Sequence, residues 1–495
     1  MALLQITDLT FGYEGSFDNV FEHLNLAVDT GWRLGLTGRN GRGKTTLLRL
    51  LMGAYPYTGK IEVPPGLRFG YFPYPVADPA RTAGEIAAEL APAAEPWELR
   101  REFNHLQLDE GVLWQPFGTL SHGEQTKALL AALFVGEDRF LLIDEPTNHL
   151  DAAGRALVAD YLRGKQGFIL VSHDRAFLDG CVDHMLVLNK TGAEVRQGDF
   201  SGWWREYQSK MAGEQARNEQ LQKEIGRLRD AAGRTAQWAD KVEKTKQNTR
   251  NSGLRPDRGY IGHKSAKMMA RARSIAARRN EAAEEKSGLL RDLEHAPALK
   301  LTALPARQSR LADLREVCVY YGETPACGPV TLTLRPGERL AVTGKNGCGK
   351  STLLHLLAGE PLRYTGTLWR AGGLVVSTVA QNAEGLRGSV TGYAARCGVD
   401  ETKMLTILRK LDFPRAQFEK DMAGYSAGQK KKVLLARSLC EEANLYIWDE
   451  PLNYIDVFSR MQLEELLLQA DLTLLFVEHD RAFCEDIATR SLALE

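Results

Sequence analysis

Nowhere does the chain carry an uncharged apolar run approaching the 18 or more residues that a bilayer-spanning helix needs. Its start, MALLQITDLTFGYEG, has no basic flank followed by an apolar core, so no export signal is read there and the expected location is the cytoplasm. Cysteine is sparse: the seven thiols at 181, 318, 327, 348, 397, 440 and 484 are scattered, odd in number and never in a CxxC pair. Neither a disulfide framework nor a zinc site is signalled. An excess of charge is also missing, with 63 Lys and Arg against 63 Asp and Glu. What remains is 44% hydrophobic and 25% charged, the proportions of an ordinary globular protein, and 495 residues are too many for a single core.

The dominant feature is self-similarity about 306 residues apart. GLTGRNGRGKTTLLRLLMG at 35–53 returns as AVTGKNGCGKSTLLHLLAG at 341–359. LSHGEQTK at 120 is matched by YSAGQKKK at 425, LLIDEPTNHLD at 141 by YIWDEPLNYID at 446, and LVSHDRAFL at 170 by FVEHDRAFC at 476. Each copy reads as strand, glycine loop and helix followed by further apolar strands, which implies an α/β fold with a mostly parallel, helix-covered sheet.

GRNGRGKT (38–45) and GKNGCGKS (344–351) both fit GxxxxGK[ST] between an apolar strand and a helical run. Gly38, Asn40, Gly41, Gly43 and Thr46, with Gly344, Asn346, Gly347, Gly349 and Thr352, let backbone N–H groups curl around phosphate oxygens at a helix N-terminus. Lys44 and Lys350 would neutralise the β and γ groups, and Thr45 and Ser351 would ligate Mg²⁺. Asp144 and Asp449 end apolar strands, where a metal-holding carboxylate belongs, and Glu145 and Glu450 follow at once. Beyond the next apolar strand of each copy come His173 and His479, placed to orient a water that the Glu polarises. A nucleoside triphosphate with Mg²⁺ is the expected ligand. Adjacent acids at a strand end can be a solvated turn and a lone His a core residue, but both recur in register.

This combination resembles the ATP-binding cassette (ABC) ATPases: a phosphate loop, an LSGGQ-like signature, a DEP-bearing strand end, an NxxD loop and a switch His. The resemblance implies two cassettes packed head to tail within one chain, each ATP lying between the phosphate loop of one and the signature of the other. Site I would join Lys44, Thr45, Asp144, Glu145 and His173 to Ser426, Gly428 and Gln429; site II would join Lys350, Ser351, Asp449, Glu450 and His479 to Ser121, Gly123 and Glu124. It also implies that Tyr13 and Tyr321 stack on adenine, the alternative being core aromatics of a first strand, and that Gln381 is a metal and coupling contact. Tyr74 stands where the first copy would carry that glutamine, so the two sites are expected to differ.

Between the copies the pattern changes. Leu221, Ile225, Leu228, Ala232, Thr235, Ala239 and Val242 step by 4 and 3, and Met268, Ala272, Ile275, Ala282, Leu289 and Leu293 can form a facing seam. QNTRNSGLRPDRGYIG (247–262) breaks the helices. An antiparallel helical hairpin is expected, reaching on the order of 50–60 Å at ~1.5 Å per residue. Residues 241–280 hold twelve Lys and Arg against two acids. Such a run is usually a solvated face, but here Tyr260 and His263 are interleaved with Lys244, Lys246, Arg250, Arg255, Arg258, Lys264, Lys267, Arg271 and Arg273, which favours contact with RNA. The resulting division is 1–205, first cassette; 206–296, basic helical hairpin linker; 297–495, second cassette.

Fused cassettes, no membrane span and a short lysine-to-signature spacing resemble ABC-F, the soluble branch that acts on ribosomes. WADKVEKTK, DRGYIGHKSAKMM and YIWDEPLNYIDV resemble its Lsa-type antibiotic-resistance members. This implies a monomeric ATP-hydrolysing protection factor that binds the exit site of the 70S ribosome, contacts ribosomal RNA and P-site tRNA, and displaces lincosamide, streptogramin A and pleuromutilin-type drugs. A housekeeping ABC-F translation factor and the ATPase subunit of a transporter are the alternatives. The chain ends at Glu495, just past the last cassette strand, so the C-terminal extension of some members is expected to be missing.

Overall fold

The computed structural model describes residues 2–14, 19–135, 139–148, 150–189, 192–245, 267, 270, 271, 274, 275, 277, 278, 301, 303–305, 308–383 and 385–494. The chain divides into two compact units, Met1–Trp203 with Ala296–Glu495, and Trp204–His295. Both cassettes fall in the first.

The first cassette opens with β1 (Leu3–Phe11), β2 (Phe21–Asp29), β3 (Arg33–Gly38), α1 (Lys44–Leu51), β4 (Thr58–Glu62) and β5 (Arg68–Phe72). It continues through α2 (Ala83–Leu90), α3 (Pro96–His105), α4 (His122–Phe134), β6 (Arg139–Asp144), α5 (Ala152–Arg163), β7 (Phe168–Val171), α6 (Arg175–Cys181), β8 (His184–Asn189) and β9 (Gly192–Gln197). Helix α7 (Phe200–Thr245) follows. The second cassette repeats the plan: β10 (Ala312–Tyr321), β11 (Thr324–Leu334), β12 (Arg339–Gly344), α8 (Lys350–Ala358), β13 (Arg363–Arg370), β14 (Val376–Val379), α9 (Val390–Cys397) and α10 (Glu401–Lys410). Then come α11 (Ala427–Cys440), β15 (Leu445–Asp449), α12 (Val457–Leu468), β16 (Leu474–Val477), α13 (Arg481–Ile487) and β17 (Arg490–Leu494).

Each cassette has a central sheet, ordered β5-β6-β7-β3-β8-β9 in the first and β14-β15-β16-β12-β17 in the second. All neighbours are parallel except β8 and β9. FILV of β7 and LLFV of β16 are buried at every position, because a parallel strand covered on both faces has no wet side. A second, antiparallel sheet of three strands stands beside each (β2-β1-β4 and β11-β10-β13). Spacing alone had not separated it from the main sheet. Its strands alternate instead: Leu4 and Ile6 are buried while Leu3 and Gln5 are exposed. One apolar core per cassette fills the space between β1 and β3 or β10 and β12, and a further core in the second cassette joins α9, α10 and α11 to the sheet.

In the second unit, Ile225 and Ala232 are buried, with Leu221 and Leu228 half-buried, so these four share one face of α7. Residues 267, 270, 271, 274, 275, 277 and 278 are helical and exposed, Ile275 included at 45%. The expected turn at 247–262, the rest of the facing seam, and Lys246, Arg250, Arg255, Arg258, Tyr260, His263, Lys264 and Arg273 lie outside the described residues, as does the side chain of Lys244. Of the expected RNA contacts, Lys267 and Arg271 are described. No helix among the described residues is long and apolar enough to cross a membrane.

Candidate ATP sites

Register brings the chemistry to one edge of each sheet. Asp144 pairs with Val171 and Asp449 with Val477, so the strand-end acids and the His two residues beyond the next strand emerge side by side, near the ends of β3 and β12 where the phosphate loops begin. Each loop closes on a left-handed glycine that starts a helix: Gly43 has φ 83° and Gly349 φ 86°. A side chain at Gly349 would place its Cβ 2.1 Å from the Ala326 carbonyl, so no other residue fits.

Lys44 is buried, and Nζ donates to the carbonyls of Gly38 at 2.8 Å and Arg39 at 3.4 Å. Lys350, also buried, donates to Gly344 at 2.9 Å and Lys345 at 2.8 Å. Thr45 Oγ1 donates to Asp144 Oδ2 at 2.8 Å, and the Ser351 hydroxyl bonds Asp449 in the same way. Among the described residues, Asp449 Oδ1 and Glu145 Oε1 are buried without a hydrogen-bond partner. A hydroxyl beside a carboxylate, with a buried oxygen left over, is the hard-oxygen donor set that suits Mg²⁺.

Glu145 and Glu450 share an unusual backbone, with φ of 52° and 44°, held by bonds from their own N–H groups to Val171 and Val477 at 2.9 and 3.0 Å. A left-handed glutamate at the same place in both cassettes is strain retained where a side chain must be aimed. Their surroundings then diverge. Glu145 Oε1 lies 3.3 Å from His173 Nε2; burial, with the Asp144 charge beside it, pushes this carboxyl up to about 8. Burial also holds His173 well below the usual imidazole range, so a neutral acid faces a neutral ring. Glu450 accepts from Gln381 Nε2 at 2.9 Å and Asn453 Nδ2 at 2.5 Å, and lies 3.7 Å from His479 Nε2. Burial alone would raise it, but these donors bring it down to about 2.

Tyr74 turns away and donates to Glu89 at 2.6 Å. In the first cassette Tyr71 reaches the acidic pair, but at the strand-end Asp144, where Gln381 of the second reaches Glu450: its hydroxyl donates to Asp144 Oδ2 at 3.1 Å, and burial raises it to about 12. Lys431, 1% exposed, was not singled out by any motif: its Nζ donates to the carbonyls of Ala380, Gln381 and Asp449 at 2.9–3.1 Å, tying α11 to both strand ends. Thr126 stands there in the first cassette, five residues beyond Ser121 as Lys431 is beyond Ser426. Tyr13 and Tyr321 are 43% and 55% exposed and so are not core; Tyr13 bonds Thr46 Oγ1 at 2.8 Å.

The signature serines cap their helices. Ser121 and Ser426 sit at the N-caps of α4 and α11, each in a reciprocal capping box with Glu124 or Gln429. The two cassettes meet so that a cavity of about 1200 Å³ is lined by Ser121, Gly123 and Glu124 of the first and by Tyr321, Asn346, Gly347, Gly349, Lys350, Ser351, Thr352, Gln381, Glu450 and His479 of the second. At the other junction contact is direct: Asn40 Nδ2 donates to the Tyr454 carbonyl at 3.3 Å, and a Cβ placed on Gly428 would lie 3.3 Å from that same nitrogen.

Phosphate loop, strand-end acids and switch His on one wall, with a capped helix N-terminus from the opposite cassette on the other, define a tandem-cassette nucleoside triphosphatase. The sequence profile of the ABC transporter family matches residues 21–148 and 327–453. The chain belongs to that family and is an ATPase. Ribosome protection protein VmlR of Bacillus subtilis is 29% identical over 99% of this chain and 86% of its own length. The energy-dependent translational throttle protein EttA of Haemophilus influenzae is 25% identical over 96% of this chain and 89% of its own. Both agree with the ABC-F likeness of the motifs. The archaeal ribosome recycling factor aABCE1, solved in complex with the ribosomal stalk protein aP1, superposes with a TM-score of 0.65 at 20% identity, covering 99% of this chain and 87% of that one, a likeness of fold.

Proposed function

We propose that this ATPase is a ribosome-protecting factor: it binds the ribosome at the exit site, contacting ribosomal RNA and P-site tRNA, and uses residues 206–296 to displace lincosamide, streptogramin A or pleuromutilin-type drugs. The observation that carries the reading is the composite cavity, which offers ATP a phosphate loop from one cassette and a helix N-terminus from the other. The full-length similarity to a ribosome protection protein supports the choice of target.

At site II, Lys350 exchanges its two carbonyl partners for phosphate oxygens, and Ser121 with the N–H groups of α4 covers the γ-phosphate. Ser351, Asp449 and Gln381 would hold Mg²⁺, whose role when bound is to neutralise charge on the β and γ groups. Glu450 accepts the proton of the attacking water and His479 orients that water. Site I uses Lys44, Thr45, Asp144, Glu145 and His173 in the same roles, with Ser426, Gly428 and Gln429 opposite. Tyr13 and Tyr321 supply ring faces for adenine.

The test is a translation extract challenged with each drug class, supplemented with the parent protein or with a deletion of residues 251–260. The parent should restore synthesis, and the deletion should bind ribosomes and hydrolyse ATP while failing to restore it. Restoration by the deletion would contradict the role given to this segment. Failure of the parent with every drug would leave a housekeeping translation factor, as the name of EttA suggests for that relative.

A further inference from the structure

The two junctions between the cassettes are built from corresponding positions that carry different residues. At junction I, Arg39 of the first phosphate loop donates from Nη1 to Asp412 Oδ1 at 2.6 Å, and its guanidinium lies 5.7 Å from the centre of the Phe458 ring. Phe458 meets the buried Trp203 edge to face at 6.1 Å. Further along the same junction, Arg175 pairs with Glu464, their side chains 11% and 8% exposed.

Asp412 lies 14 residues before Ser426, and the residue 14 before Ser121 is Gln107. Phe458 and Glu464 lie two and eight residues beyond Asp456; two and eight beyond Asp151 are Ala153 and Ala159. An amide and two methyl groups thus replace two carboxylates and a ring, so neither ion pair nor the ring contact can form at junction II. Arg481, the counterpart of Arg175, pairs with Glu485 of its own helix at 2.7 Å. Gln107 and Ala153 line the 1200 Å³ cavity, which takes up space that Asp412 and Phe458 fill at the other junction. Charge crosses junction I as well: Arg460 and Lys432 of the second cassette help hold His173 neutral, after burial and Lys44.

We infer that the two ATP sites have different duties: junction I stays engaged and retains its nucleotide, while junction II opens and closes to exchange nucleotide. Opening junction I means parting two shielded pairs, Arg39 with Asp412 and Arg175 with Glu464, together with the contact of Arg39 on the Phe458 ring. Opening junction II parts neither. The inference rests on the reading of both junctions as ATP sites.

The test loads the full-length protein with N-methylanthraniloyl-ADP, chases with unlabelled ATP and follows release. Two phases should appear, with Lys350→Ala removing the fast one and Lys44→Ala the slow one. Glu464→Ala should speed the slow phase on the order of tenfold and leave the fast phase unchanged. Should that variant fold poorly, the exchange Arg175→Glu with Glu464→Arg keeps the question decidable, because it restores the pair and should restore slow release. Two equal phases, or a slow phase lost in Lys350→Ala, would overturn the assignment of duties. If neither lysine substitution lowers the amount bound, the ATP-site reading itself falls, an outcome distinct from equal release at two intact sites.

Discussion

Glu145 and Glu450 occupy the same position on the same kind of strand and differ in what touches them. Glu145, raised to about 8 by burial, holds its proton at pH 7 and becomes a base as the pH rises through 8. Glu450, near 2, is ionised at every assay pH. With Glu450→Gln, turnover from the remaining site should climb roughly tenfold between pH 7 and 9, the ratio of ionised fractions. With Glu145→Gln it should be flat over that range. Superimposable pH profiles from the two variants would contradict the difference between the sites. Since Glu145 binds its proton more tightly folded than unfolded, its contribution to stability is present at low pH and is lost as the pH rises through about 8. Much of this layer was legible: glycine-loop, acid and His spacings named the residues that the fold gathers at one sheet edge. Tyr71 and Lys431 were not legible, because their partners lie 73 residues away for Tyr71 and up to 51 for Lys431, and no local pattern marks them. The cross-cassette pair of Arg39 and Asp412, 373 residues apart, is hidden for the same reason.

At the level of single elements, α4 and α8 carry the next expectations. Ser121 caps α4 and also faces the cavity, so Ser121→Ala should cost about 1 kcal/mol in thermal or denaturant unfolding and lower turnover beyond that loss. A thermal shift without any change in turnover would leave Ser121 a cap alone. Gly349→Ala sets a Cβ against the Ala326 carbonyl at the start of α8. It should abolish nucleotide binding at site II while site I still binds, so equilibrium dialysis should fall from two nucleotides per chain to one. Two bound per chain would show the loop to be more forgiving than its geometry. Element type was read from apolar runs and glycine loops, and the 4-and-3 spacing of Leu221, Ile225, Leu228 and Ala232 marked one helix face correctly. The antiparallel sheets went unread because β1 and β10 carry ordinary strand patterns, and their partners are fixed only by tertiary pairing.

On the scale of the whole molecule, a neutral chain concentrates twelve positive side chains within residues 241–280. If these hold RNA phosphates, ribosome affinity should fall with salt at roughly 0.7–0.9 logarithmic units per contact. Neutralising Arg271, Arg273, Arg278 and Arg279 should flatten that slope and leave the ATPase of the free protein nearly unchanged. A slope unaltered by the four substitutions would place the contacts elsewhere. An ATPase that acts on the ribosome and holds its nucleotide between two cassettes should engage the ribosome in a nucleotide-dependent way, and this is tested most directly by co-sedimentation of the Glu145→Gln, Glu450→Gln double variant with 70S ribosomes in ATP and in ADP. The account predicts that the variant binds ATP, turns it over very slowly and pellets with ribosomes in ATP but not in ADP. Equal pelleting in the two nucleotides, or an ATPase rate equal to that of the parent, would contradict it.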